Sequence, residues 1–251
     1  MSFESPRFEQ PLESSETEVE TEIETEENER EFTKEGLKAL QEMSVEPYTK
    51  IELILTKTGL RSVANIELTS DTWREQEGEK PKEVDIEKLE NIKRSLITMG
   101  FVFKCDDPKI EKLVVVEKDV PEGEIKPEDQ ISEEREKIII STANEQIDLD
   151  KYLQALESNS DEELGEMYGF PESAVDAYSK NNKDESELIA RKDLPEIIRK
   201  QDWSLFAAFR MSKENWENEL ETAKKWAETV KKICPEIYKE YIEYMKRVEN
   251  Y

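Results

Sequence analysis

The sequence contains no histidine, so the commonest general base near neutral pH and the commonest zinc ligand are both missing. Catalytic schemes built on a Ser-His-Asp triad, a Cys-His pair or a two-histidine metal triad are therefore excluded. The two cysteines, Cys105 and Cys234, form no CxxC motif, which argues against a zinc site or a disulfide framework. Both are expected to be small buried side chains in a protein of the reducing cytoplasm.

The sequence also lacks long apolar runs and the common ligand-binding motifs. No run approaches the ~20 residues that a bilayer-crossing helix needs, and the start, MSFESPRFEQ, has neither the basic nor the apolar part of a signal peptide. The patterns GxGxxG, GxxxxGK[ST], GxSxG and the EF-hand loop are absent. We therefore expect no cofactor, no metal site and no membrane partner, and we assign no catalytic residue.

Basic residues are scarce relative to acidic ones. The chain has 36 Lys and Arg against 62 Asp and Glu, a formal net charge of −26. Because nucleic-acid binding depends on cations that neutralise phosphates, this charge disfavours nucleic acid as a partner. It favours instead a partner protein with a basic surface.

Residues 1–31 are the most acidic part of the chain, with twelve Glu and two Arg. The stretch ESSETEVETEIETEENERE within them carries Val19 and Ile23 as its aliphatic residues. So little apolar surface does not compensate the entropy cost of ordering. We predict a disordered acidic tail; the alternatives are an interaction arm or a phosphorylation target at Ser14 or Ser15.

Residues 32–145 combine helical and strand patterns and predict an α+β domain. The runs YTKIELIL (48–55) and SVANIEL (62–68) alternate on either side of a turn, which predicts a β-hairpin. Apolar spacing predicts helices at TKEGLKALQEM (33–43) and VDIEKLENIKRSLITMG (84–100). The β-rich runs predict further strands at FVFKC (101–105), KLVVVEK (112–118) and EKIIISTA (136–143). Short connections favour an antiparallel sheet with one or two packed helices, and the domain is expected to end near Asn144.

Residues 146–251 predict an all-α domain with a corner that resembles a helix-turn-helix. In DEELGEMYGFPESAVDAY (161–178), Gly169 is expected to end one helix and Pro171 to open the next. Residues 146–192 hold twelve acidic and five basic side chains. Since a DNA reader needs basic side chains beside its second helix, a structural corner is favoured over a DNA-binding one.

The C-terminal region is rich in aromatic residues, and two amphipathic helices are expected there, on either side of Pro235. Their aromatic side chains either pack on the chain or form an oligomer or partner contact. The residues of this candidate interaction surface are Trp203, Trp216, Trp226, Tyr238 and Tyr244.

These features favour a non-enzymatic, acidic cytosolic protein that acts in protein–protein interaction or regulation. One alternative is a carboxylate-dependent enzyme, with Mg²⁺ held by acid pairs such as Asp148 and Asp150 or Asp106 and Asp107. With 62 carboxylates such pairs also arise by chance. The second alternative, a helix-turn-helix transcription regulator, is disfavoured by the local negative charge.

Overall fold

The structure of the chain is a computed structural model that describes residues 31–73, 81–116, 130–180 and 187–248. Phe32–Tyr251 form one compact unit, and Met1–Glu31 are a separate one. The predicted acidic tail therefore lies outside the described residues, except for Glu31.

The first half of the unit contains both helices and strands, and helices dominate the second half. The first half contains α1 (Lys34–Glu42), α2 (Pro47–Lys57), β1 (Val63–Thr69), α3 (Ile86–Thr98), β2 (Val102–Cys105), β3 (Lys109–Val116) and β4 (Gln130–Ala143). The second contains α4 (Gln146–Ser158), α5 (Asp161–Met167), α6 (Glu172–Lys180), β5 (Leu188–Ile189), α7 (Glu196–Arg199), β6 (Met211–Ser212), α8 (Trp216–Ile233) and α9 (Pro235–Val248). Short 3₁₀ turns cover Arg191–Asp193 and Asp202–Phe206.

The main sheet is antiparallel and is organised around the long strand β4. Strand β1 pairs with one edge of β4, from Val63 opposite Ala143 to Thr69 opposite Lys137. Strands β2 and β3 pair one after the other with β4 as well. The predicted α+β class with an antiparallel sheet is confirmed, and β5 and β6 form a separate two-stranded ribbon.

A continuous apolar core lies between one face of the sheet and the helices. Even-numbered residues of β1 and β4, such as Ile66 and Ile140, pack there with α1, α2, α3, α8 and α9. On the opposite face, a smaller cluster joins Val63 and Ala143 to α4 and to Met167 at the end of α5. The main core contains residues from both sides of residue 145, where the sequence predicts a domain boundary. The division into 32–145 and 146–251 stays a prediction.

Helix α2 replaces one strand of the predicted hairpin, which is therefore wrong. Residues 48–55 are helical, and nine of the eleven residues of α2 are buried. A helix enclosed on all sides carries apolar residues on every face, so its sequence has no helical period that distinguishes it from a strand. Pro47 occupies the start of the helix, where its missing N–H leaves no hydrogen bond unmade.

The predicted C-terminal helices are confirmed, since α8 and α9 begin and end close to the expected residues. Their stripes of buried residues face the core, as the four- and three-residue spacing predicts. Ile86 at the start of α3 and Val248 at the end of α9 are exposed, because each lies in a terminal turn outside the core.

Candidate interaction site

Strand β1 has one edge that no strand of the described residues covers. The amide of Ser70 donates to the carbonyl of Glu136, its opposite residue if the β1–β4 register is continued. Since hydrogen-bonded pairs alternate along an antiparallel ladder, even-numbered residues of β1 bond to β4. The backbone N–H and C=O groups of Asn65, Glu67 and Thr69 therefore point away from the sheet.

The other edge of β4 gives the same alternation independently. The amide of Asp106 donates to the carbonyl of Ile139, which lies opposite it if the β2–β4 register is continued. Odd-numbered residues of β4 accordingly bond to β2, and its even-numbered residues remain for β1. The two observations agree on which groups of β1 face outward.

A cleft of about 930 Å³ lies along this open edge. Asn65 and Glu67–Thr69 of β1 form one wall, and the start of α2 with Tyr48, Lys50 and Glu52 forms another. The loop before α2, Lys88 of α3 and the last turns of α9 complete the lining. The volume lies within the range of about 300–1,000 Å³ that is typical of ligand sites.

The buried side chain of Lys50 contacts two other helices beside the cleft. The Nζ of Lys50 donates to the carbonyl of Gln41 in α1 at 3.0 Å and lies 3.6 Å from Glu240 Oε2 in α9. Because Lys50 belongs to α2, this one side chain links three helices. We infer that it holds the cleft in a fixed shape.

A second buried charge pair lies behind the cleft. Arg61 Nη1 donates to Glu52 Oε1 at 2.6 Å, and both side chains are buried. The Arg61 guanidinium also lies over the rings of Tyr168, at 5.0 Å, and Trp226, at 6.0 Å. Burial, followed by the Glu52 carboxylate, raises the pKa of Tyr48 to about 12, while Arg61 acts in the opposite direction. Tyr48 therefore remains a neutral phenol at physiological pH.

The side chain of Asn65 anchors β1 to the helices on its outer face. Its Nδ2 donates to the hydroxyls of Tyr152 at 2.6 Å and Tyr168 at 3.2 Å, and the two hydroxyls lie 3.1 Å apart. Burial, followed by the hydrogen bond between the two hydroxyls, raises the pKa of Tyr168 well above its ordinary value. Because its side chain is held, Asn65 presents its backbone to the cleft in a defined orientation.

The five aromatic residues predicted from the sequence do not come together at the cleft. Tyr244 lines it, whereas Trp226 is 3% exposed and belongs to the core. Trp203 and Trp216 are half-buried against the core. Tyr238 stacks on Phe206, with 5.7 Å between the ring centroids. The interaction surface predicted from these five residues stays a prediction.

The predicted helix corner contacts Arg61 through the ring of Tyr168. Ser160 caps α5 by accepting a hydrogen bond from the amide of Glu163. Gly169 has φ +71°, and a Cβ there would overlap the carbonyl oxygen of Leu60. Beside Val175, a pocket of about 290 Å³ is walled mostly by apolar and aromatic side chains, with Asp161 and Arg210 as its charged residues. The close contact between Gly169 and Leu60, in the loop before β1, leaves no room for a side chain and accounts for a glycine in this turn.

One member of each acid pair considered for Mg²⁺ has a partner within the chain. Asp150 accepts a hydrogen bond from Gln146 at 2.8 Å, and Asp106 lies 3.6 Å from the Nζ of Lys109. Within residues 31–73, 81–116, 130–180 and 187–248, no three metal-ligating side chains are grouped so that they could hold an ion.

Comparison with protein-family models, with curated proteins and with solved structures gave no match for this chain. Among the helices of the described part, none combines the length and the apolar content that a bilayer crossing requires.

Proposed function

We propose that the protein is a non-enzymatic protein-binding module in which an extended segment of a partner adds as a strand to the open edge of β1. The observation that supports this proposal is the outward direction of the backbone groups of Asn65, Glu67 and Thr69 along a cleft. Each of these residues offers one N–H donor and one C=O acceptor. Addition of a strand would use them in the way that edge-strand recognition generally does.

The walls of the cleft favour a single bound strand over open-ended aggregation. An open strand edge is a hazard because any unpaired chain can bind it. Here the start of α2 and the end of α9 flank the edge. They limit access to a narrow segment, and their side chains supply selectivity.

Two charged groups of the cleft, Glu52 and Lys50, are poorly placed for acid–base catalysis. Glu52 is paired with Arg61 at 2.6 Å, and Lys50 is held by the carbonyl of Gln41. A general acid or base must be able to reach a substrate, and these two side chains are engaged within the protein. The free thiols of Cys105 and Cys234 support the further proposal that the protein works in the reducing cytoplasm.

The proposal is tested with a variant that blocks the edge. Random peptides of about eight residues, selected on the immobilised full chain, are remade as synthetic probes, and their binding is measured by fluorescence anisotropy. Glu67→Pro removes an outward N–H and leaves the bonds to β4 intact, so we expect affinity to fall about tenfold or more. Glu67→Ala is the matched control, because it loses the same carboxylate and keeps the N–H, and it should bind as the unchanged chain does.

Two results would contradict the proposal. One is equal binding of the selected peptides to the Glu67→Pro and Glu67→Ala variants, both with unchanged circular dichroism and melting temperature. The other is a dimer of the unchanged chain that Glu67→Pro dissociates, detected by light scattering, since a second copy would then occupy the edge.

A further inference from the structure

Resting on the proposed function, we infer that the segment bound at the β1 edge is basic, with Lys or Arg at alternate positions. The inference concerns the chemistry of the partner, which strand addition alone does not determine. Main-chain hydrogen bonds are the same for every sequence, so selectivity must come from side chains.

The overall charge opposes an acidic occupant. Subtracting the −10 of residues 1–31 from the −26 of the whole chain leaves −16 on residues 32–251. The compact unit therefore repels a second copy of itself. A basic partner is attracted over a long range at low ionic strength.

The rim of the cleft provides local partners for basic side chains. The cleft is lined by four carboxylates and by the ammonium groups of Lys50 and Lys88. Glu52 is neutralised by Arg61, and Glu67 by Lys137, each at 2.6 Å.

Glu46 is the cleft carboxylate without an ion pair among the described residues, and Glu240 is the one whose ion pair is long. Glu46 is exposed at the start of α2 and makes no ion pair among the described residues. The Glu240 side chain is 49% exposed and makes a single longer contact, with Lys50. Since side chains in a strand alternate between its faces, basic residues at every second position would approach the rim from one side.

The inference is tested with three synthetic peptides of equal length that alternate Val with Lys, Gln or Glu. Anisotropy is measured with the full chain at about 50 mM and about 300 mM salt. We expect the lysine peptide to bind at least about tenfold more tightly than the glutamate peptide at low salt, and the difference to shrink at high salt. The double variant Glu46→Gln/Glu240→Gln should lose about fivefold in affinity for the lysine peptide.

A matched double variant controls for net charge. Glu162→Gln/Glu228→Gln removes two exposed carboxylates that do not line the cleft, and it should leave affinity within about twofold. Equal loss in both double variants would overturn the inference, because attraction would then be general. Equal binding of the three peptides, all blocked by Glu67→Pro, would overturn it as well while the proposed function stood. Binding of the lysine peptide that Glu67→Pro leaves unchanged would instead contradict the proposed function.

Discussion

Arg61 is the buried charge on which the region behind the cleft depends. It is 6% exposed, it is paired with Glu52, and it packs against the rings of Tyr168 and Trp226. If Glu52 is changed to Gln, the guanidinium stays buried without its counter-charge. We therefore predict that Glu52→Gln lowers the free energy of unfolding by about 3–5 kcal/mol, as measured by urea denaturation.

A double variant separates the charge from the packing. Glu52→Leu/Arg61→Met removes both charges and retains apolar volume, so it should be more stable than Glu52→Gln. A Glu52→Gln variant within about 1 kcal/mol of the unchanged chain would mean that water reaches Arg61.

Gly169 and Gly100 provide a second comparison at the scale of single residues. Both have positive φ, +71° and +75°, which side chains rarely adopt. A Cβ at Gly100 would meet the Nζ of Lys57 at 3.5 Å, an ordinary contact, whereas one at Gly169 would overlap the backbone of Leu60. We expect Gly100→Ala to cost about 1–2 kcal/mol and Gly169→Ala more than about 3 kcal/mol in thermal or urea unfolding. Similar losses in the two variants would show that the turn and the Leu60 loop can move apart.

At the scale of elements, the open edge of β1 predicts an alternating pattern of amide exchange. The amides of Ile66 and Leu68 bond to β4 and should exchange slowly, whereas those of Asn65, Glu67 and Thr69 should exchange fast. Strand β4 is the internal control, because Ile140–Thr142 are flanked on both edges and should all be protected. Slow exchange at Glu67 and Thr69 in the free chain, measured by NMR, would mean that the edge is already occupied.

Elements with a clear period were predictable from the sequence, and the enclosed helix was not. The stripe along α8 marks a helix with one buried face, and the runs of β2, β3 and β4 are bounded by turn residues. Helix α2 is buried on all sides, and its run of β-branched and aliphatic residues resembles a strand. Pro47 at its start is a sequence feature that is typical of the first turn of a helix.

The same error concealed the candidate site. The predicted hairpin would have paired residues 48–55 with β1 and closed the edge that the structure leaves open. Of the five aromatic residues predicted as an interaction surface, Tyr244 is the one that lines the cleft. The backbone directions of Asn65, Glu67 and Thr69 depend on pairing with a strand about 70 residues later, which no local pattern encodes.

At the scale of the whole molecule, buried tyrosines predict a loss of stability in alkali. Burial raises the pKa of Tyr241, which donates to the carbonyl of Leu205 at 2.8 Å, and also that of Tyr168. In the unfolded chain phenols ionise near pH 10, while the folded chain keeps these protons to higher pH. Above about pH 10 the unfolded state therefore binds fewer protons, so the free energy of unfolding falls as pH rises. Each such tyrosine contributes about 1.4 kcal/mol per pH unit.

Repulsion within an acidic chain also increases in alkali, as lysines lose their protons, and salt distinguishes the two causes. Repulsion between exposed charges is screened at high ionic strength, whereas the cost of ionising a buried phenol is not. We expect urea midpoints to fall between about pH 10 and 11.5 at both low and high salt, with phenolate absorbance rising together with unfolding. In Tyr168→Phe the fall should be shallower, although the loss of the hydrogen bonds to Asn65 and Tyr152 lowers stability at every pH. Phenolate absorbance that reached its full value while the chain was still folded would mean that Tyr168 and Tyr241 are open to solvent.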